Sequence, residues 1–448
     1  MGLRDADELL DIADAVLARI PHGSEGEVIL EDVDSSLTRY ALNAIHQNVA
    51  ESGLSLRLRL VQDGRVGVAQ VRGDIHGDAP DRLLRDAEEA RRLAPARADL
   101  PPLPDPSLAQ PEGPTAAAWS DATAQCTPEQ RADAVAVVTR AASARGLQGF
   151  GAMETTARQI AILNTRGVRQ HARTSVARFT AVLRGDDGAG YADRSAAGFE
   201  NIDPTALADE VVDTAMRNQG AVRIDPGDYE VVLAPYAVAE MLDHLAWMSF
   251  SALAKQEGRS FMHPGERMMS ESVSIRDDAH DPAALPFPFD WEGVTARRVS
   301  FIDGGVCRDF VYDTPTAIVD GVRSTGHSLP QPNVDGPFPM HVVMDGGDRS
   351  RDELIANVRH GLYVTRFWYV RAVHPLRTII TGTTREGTFL IENGRVGTPV
   401  HDMRFTQGIV DALNDVRGIS SERSLEVPDE GSATLAPWIH AGHFHFSS

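Results

Sequence analysis

Hydrophobic residues change their spacing several times along the chain, and each change marks an element. Leu9, Ala13, Val16, Leu17 and Ile20 recur at helical intervals, so the first twenty residues predict an amphipathic helix. Two β-rich runs follow, GEVILEDV and SSLTRYAL. In LSLRLRLVQDGRVGVAQV, Leu54, Leu56, Leu58 and Leu60 alternate with Ser55, Arg57 and Arg59 up to an Asp63-Gly64 turn. That is a hairpin with one apolar face, and its arginine face is expected to be wet. APDRLLRDAEEARRLAP returns to helical spacing, which completes an α+β module over residues 1–94.

Proline then breaks the pattern: Pro95, Pro101, Pro102, Pro104, Pro106, Pro111 and Pro114 predict an extended connector over 95–126. Thr127-Pro128-Glu129-Gln130 reads as a capping box opening a helix that Gly146 stops. Two antiparallel strands broken at Asn164-Thr165-Arg166-Gly167, and a helix capped at Asp203-Pro204, continue the N-terminal region over 127–227. From residue 228 to 448 the pattern is β-rich and barrel-like, with Asn393-Gly394 forming a hairpin turn. Inside it, VVLAPYAVAEMLDHLAWMSFSALAKQEG (231–258) predicts a strand running into one long helix. The fold class expected is therefore α+β in two domains.

Composition narrows the function. With 43 Lys and Arg against 64 Asp and Glu, the net charge of −21 disfavours nucleic acid as a partner. Lys255 is the only lysine, so phrases such as EEARRLAP reflect arginine usage and not a phosphate site. No segment approaches the about 20 apolar residues of a membrane helix. The charged N-terminus lacks the apolar run of a signal peptide, and the expected location is cytoplasmic. Cys126 and Cys307 lie far apart and suggest free thiols.

Two histidine groups carry candidate metal chemistry. Glu240 and His244 share a helix face beside Asp243, with Met248 one turn on, but zinc needs three or four ligands and a thioether is a poor one. The plainer reading is an i,i+4 pair over a packed methionine. His440, His443 and His445 form the second group, in WIHAGHFHFSS. A flexible or edge tail is the plainer reading there. GDDGAG and MDGGDRS match no phosphate-loop spacing and read as turns.

Three long phrases carry a family likeness: STGHSLPQPN (324–333), DRSRDELIANVRHGLYVTRF (348–367) and TREGTFLIENGRVGTPVHDMRFTQ (384–407). The chain resembles the TldD/PmbA family, and within it the TldE/PmbA branch. The resemblance implies a subunit of a cytoplasmic zinc peptidase that cleaves unfolded or flexible peptides. In the TldD branch an HExxxH helix and a C-terminal cysteine supply the metal ligands and the base. On this sequence those helix positions fall on Asp243, His244 and Met248, and the C-terminal segment holds no cysteine. The resemblance therefore implies no catalytic residue and no cofactor in this chain, zinc in a TldD-like partner, and either a heterodimer with that partner or self-association. The alternatives are an independent metal-dependent hydrolase with rearranged ligands drawn from Glu240, His244, His440, His443 and His445, or a non-enzymatic peptide-binding homodimer.

Overall fold

The computed structural model describes residues 2–73, 75, 77–98, 100–110, 118–427 and 432–447. The N-terminal elements are α1 (Ala6–Leu17), β1 (Glu25–Ala41), β2 (Ala44–Gln62), β3 (Arg65–Arg72), α2 (Ala79–Leu93), α3 (Asp121–Ala124), α4 (Pro128–Ala144), β4 (Gln148–Asn164), β5 (Arg169–Arg184), β6 (Ala189–Ala196) and α5 (Pro204–Arg217). Their strands form one antiparallel sheet in the order β3-β2-β1-β4-β5-β6. The helices start where the caps predict. The Asp203 side chain accepts from Thr205 and Ala206 N–H, and Thr127 and Gln130 close the capping box reciprocally.

GEVILEDV and SSLTRYAL are not separate strands. They join into β1 because β2 and β4 pair with it on both sides along almost its whole length, which keeps Asp34 and Ser35 inside a ladder. The reversal comes later, at Leu42 and Asn43, both with positive φ.

Alternation decides what each sheet face meets. Val28 and Leu30 of β1, Leu54, Leu56, Leu58 and Leu60 of β2, and Ala161 and Leu163 of β4 pack with Leu9, Ala13 and Val16 of α1 and with Leu83 and Ala87 of α2. Farther along the same face, Met153, Phe179, Ala181 and Leu183 pack against Val135 and Val138 of α4 and Leu207 and Val211 of α5. The opposite face, with Arg57, Arg59, Glu27 and Ile29, turns toward the second half of the chain. The wet arginine face expected from the sequence is thus corrected. Arg59 is 8% exposed, its Nη2 lying 2.8 Å from Glu27 Oε2 and 3.5 Å from Glu292 Oε1, because another domain covers this face.

The proline connector is held against the body as far as it is described. Leu103 N–H donates to Glu25, Pro104 O accepts from Asn164, and Leu108 O accepts from Thr295 N–H. Pro111 and Pro114 lie outside the described residues.

The second domain holds β7 (Gly227–Leu233), α6 (Pro235–Ser249), α7 (Ala252–Gln256), β8 (Ile275–Asp277), β9 (Val299–Asp303), β10 (Val306–Cys307), α8 (Thr314–Asp320), β11 (His341–Met344), α9 (Arg351–Ala356), β12 (His360–His374), β13 (Ile379–Glu392), β14 (Arg395–Val400), β15 (Arg404–Gly408), α10 (Ile409–Asn414), β16 (Val416–Glu426) and β17 (Ala433–Phe446). β7, β12, β13, β15 and β17 pair in a closed ring, which makes the domain barrel-like. Phe367, Phe405, Phe444 and Phe446 cluster in its core.

Two expectations fail in this half. The long helix stops at Ser249, because Ser251 caps a new helix by accepting from Ala254 N–H. The C-terminal histidine segment is neither tail nor edge: β17 pairs with β7, β11, β15 and β16. Its run TLAPWIHAG reads weakly as a strand on its own, and only partners remote in sequence fix it. Among the described residues no helix is long and apolar enough to cross a membrane.

Candidate functional site

α6 begins at Pro235, a first-turn position that needs no donor, and buries Val238, Met241, Leu242, Leu245 and Met248. Met248 is inaccessible and packs in the main core of the barrel domain. Asp243 Oδ1 accepts from the Thr434 hydroxyl of β17 at 2.6 Å. His244 Nδ1 lies 2.8 Å from the Glu240 carbonyl and 3.6 Å from its carboxylate, one turn back on the same helix.

The β17 histidines go elsewhere. His440 is buried, with Nε2 2.8 Å from Glu230, which also receives Arg417. Burial holds the His440 imidazole below its usual range although Glu230 favours the proton. His443 Nε2 and His445 Nδ1 both approach Asp228 Oδ1, at 3.3 and 2.7 Å. Hydrogen bonding from His445 lowers the Asp228 carboxyl.

The five candidate ligands therefore fall into three separate groups: Glu240 with His244, His440 on Glu230, and His443 with His445 on Asp228. Among the described residues no three His, Cys, Asp or Glu side chains gather to hold a metal. The donor set at the helix positions does not fit zinc. One carboxylate accepts from a hydroxyl, one imidazole spends Nδ1 on its own helix and offers a single nitrogen, and the third group is a thioether in the core, so no set of three ligands is made. Positions 243 and 248 also differ by about 140° around a straight helix.

Between the two domains lies a cavity of about 460 Å³. One wall is the sheet face that carries no helices: Glu31 and Val33 of β1, Glu154, Thr156, Arg158, Ile160 and Ile162 of β4, and Thr174, Val176 and Arg178 of β5. The other wall comes from Leu285, Phe287, Phe289, Asp290 and Trp291, from Gly326 to Leu329, and from Met340, His341 and Ala433. Ala433 adjoins Thr434, so the cavity borders the strand that holds Asp243.

Its second wall is fixed by buried polar contacts. Asp290 accepts from Glu292 N–H and Val294 N–H at 2.9 Å and from Ser328 N–H at 2.8 Å, joining two loops. Gly326, at φ 74°, passes so close to Thr295 that a Cβ would lie 2.3 Å from its carbonyl oxygen. Asp277 Oδ1 lies 3.0 Å from His327 Nε2, and Oδ2 accepts from His341 N–H. Burial raises the Asp277 carboxyl, but His327 and then His341 outweigh it and hold it below the usual range. Burial keeps the His341 imidazole below its usual range.

The cavity residues were not found as a site from sequence. Thr156, Arg158, Ile160 and Ile162 alternate along the sequence as one strand face would, and STGHSLPQPN stands as a distinct phrase. Their meeting across two domains has no local signal.

Residues 226–448 match the family model of the PmbA/TldA metallopeptidase C-terminal domain, and residues 123–219 that of the PmbA/TldA metallopeptidase central domain. A metalloprotease from Methanothermobacter thermautotrophicus is 26% identical over 281 residues, 60% of this chain and 61% of that protein. A zinc metalloprotease TldD homolog from Saccharolobus solfataricus is 26% identical over 211 residues, 44% of each chain. The chain thus spans 61% and 44% of the lengths of these two relatives. The crystal structure of TldE from Thermococcus kodakarensis has the same fold, with a TM-score of 0.86 over 99% of each chain at 19% identity.

Proposed function

The chain belongs to the PmbA/TldD metallopeptidase family, and on that premise we propose that it is the TldE-like, non-catalytic subunit of a cytoplasmic TldD/TldE-type zinc peptidase complex. It pairs with a TldD-like chain that carries the zinc, and the pair acts on unfolded or flexible peptides. The observation that carries this reading is the chemistry at three helix positions. Asp243 is bonded to Thr434, His244 to the backbone of Glu240, and Met248 is packed in the core. Among the described residues these groups do not gather with others into a set of three ligands, and no cysteine stands in the segment after Cys307.

Such a subunit contributes fold and surface to the complex. The test is reconstitution. The chain purified alone is expected to cleave no unfolded peptide and to hold no stoichiometric metal, whereas co-expression with a TldD-like chain yields activity and about one zinc per TldD-like chain. Peptidase activity that follows the single chain at constant specific activity through successive columns overturns the reading.

A further inference from the structure

The interdomain cavity has walls of unequal chemistry. Phe287 and Trp291 stand half-buried over the Ile160 and Ile162 side of the sheet, while Thr156 and Thr174 line the strand face beside them. Its two arginines already have carboxylate partners: Arg158 Nη1 lies 3.2 Å from Glu31, and Arg178 Nε 2.9 Å from Asp193. A phosphate or other anionic ligand would have to break one of these pairs, which disfavours it. A ligand with no net charge, apolar at one end and able to give and receive hydrogen bonds along its length, meets the arginine and apolar walls without that cost. Leu285, a non-glycine residue at φ 52°, also lines the cavity, and backbone held in this sparsely populated region is found at ligand clamps.

We propose that this cavity is a peptide-binding site of the chain itself, taking one aromatic or branched apolar side chain against Phe287 and Trp291 with the flanking uncharged backbone over Thr156 and Thr174. The inference rests on the reading that the complex acts on flexible peptides, and it adds a preference for an apolar residue that this subunit imposes. Because Trp291 is part of the wall, occupancy has a built-in optical reporter.

The experiment uses the full-length chain and capped pentapeptides, Ala-Ala-Xaa-Ala-Ala, with Xaa as Phe, Leu, Asp or Lys. Binding is followed by tryptophan fluorescence and by calorimetry. The Phe and Leu peptides are expected to bind at least about tenfold more tightly than the Asp and Lys peptides, as burial of one large apolar side chain allows. Trp291→Phe removes most of the fluorescence change while calorimetry still records binding. Thr156→Trp and, separately, Val176→Trp fill the cavity from the sheet side and weaken the Phe peptide at least about tenfold. Two such variants are made so that one that fails to fold does not end the test; circular dichroism identifies it. Binding indifferent to Xaa, binding unchanged in a folded filling variant, or no binding to the isolated chain overturns the proposal. Cleavage by the reconstituted pair is measured separately. A pair that cleaves while the cavity fails the test leaves the subunit reading standing, and apolar-selective binding without cleavage by any pair leaves the cavity standing alone.

Discussion

Arg59→Met is the most informative stability perturbation, because one guanidinium serves two carboxylates that are 1% and 2% exposed, Glu27 and Glu292. At an effective dielectric of about 20, separations of 2.8 and 3.5 Å correspond to attractions of roughly 6 and 5 kcal/mol. Much of that is offset by the cost of burying the arginine, and breaking such a cluster by removing its cation typically costs about 3–5 kcal/mol. Protonation limits the loss. Keeping one glutamate neutral at about pH 7 costs roughly 3–4 kcal/mol, at about 1.4 kcal/mol per pH unit above its ordinary value. Burial, with Glu27 adding to it, already pushes the Glu292 carboxyl up against the pull of Arg59, and without Arg59 it rises further. The folded variant then binds more protons than its unfolded chain at pH values between the ordinary and the raised carboxyl ranges. Its stability relative to the parent therefore improves as pH falls through that window and is lost as pH rises. Urea denaturation of parent and variant at about pH 5 and about pH 8 measures this. The gap should be about 3–5 kcal/mol at the higher pH and clearly smaller at the lower, and a triple variant adding Glu27→Gln and Glu292→Gln should recover most of it. A gap below about 1 kcal/mol at about pH 8, or one independent of pH, would show that the cluster does not join the domains as described.

Neighbouring residues on α6 should behave oppositely. Met248→Ala opens a cavity in the barrel core and costs about 2–5 kcal/mol in chemical denaturation, whereas Trp247→Ala, at a side chain 60% exposed, shifts stability by about 0.5 kcal/mol or less. Thr127→Ala removes half of a complete capping box at α4 and should cost about 1 kcal/mol in the same assay. Restoring the letters alone, with Asp243→His, His244→Glu and Met248→His together, should not yield stoichiometric zinc by elemental analysis, because the segment after Cys307 holds no cysteine to complete the set. Tight zinc binding by that triple variant would mean that the helix and its surroundings are still shaped for metal.

Elements whose signals are local were readable from sequence, and those fixed by distant partners were not. The caps at Thr127 and Asp203 and the turn at Asn393-Gly394 depend on residues within one turn of each other, and the structure has them where the letters put them. The junction of the two β1 runs depends on β4, more than a hundred residues away. The break after Ser249 has no strong local signal, because Ser251 looks like any polar residue in an apolar run although its hydroxyl accepts from Ala254 N–H. The cover over Arg57 and Arg59 has no signal in their strand, since alternation shows which face a side chain takes and not what lies against that face. The site divides in the same way. Asp243, His244 and Met248 could be aligned as letters, but their engagement by Thr434, Glu240 and the barrel core needed coordinates.

The ring of the barrel also sets a schedule for biosynthesis. Leu233 of β7 pairs with Ile439 of β17, 206 positions later (439 − 233). At translation rates of about 5–20 residues per second, β7 waits on the order of 10–40 seconds for its neighbour to be made. During that interval α6 lacks one of the strands it packs on, and the sides of β7, β11 and β15 that β17 will occupy stand open. Open strand sides of this kind are where nascent chains aggregate or engage chaperones. The N-terminal sheet is complete well before then, so a ribosome stalled late in the message would present one finished domain joined to one that cannot close.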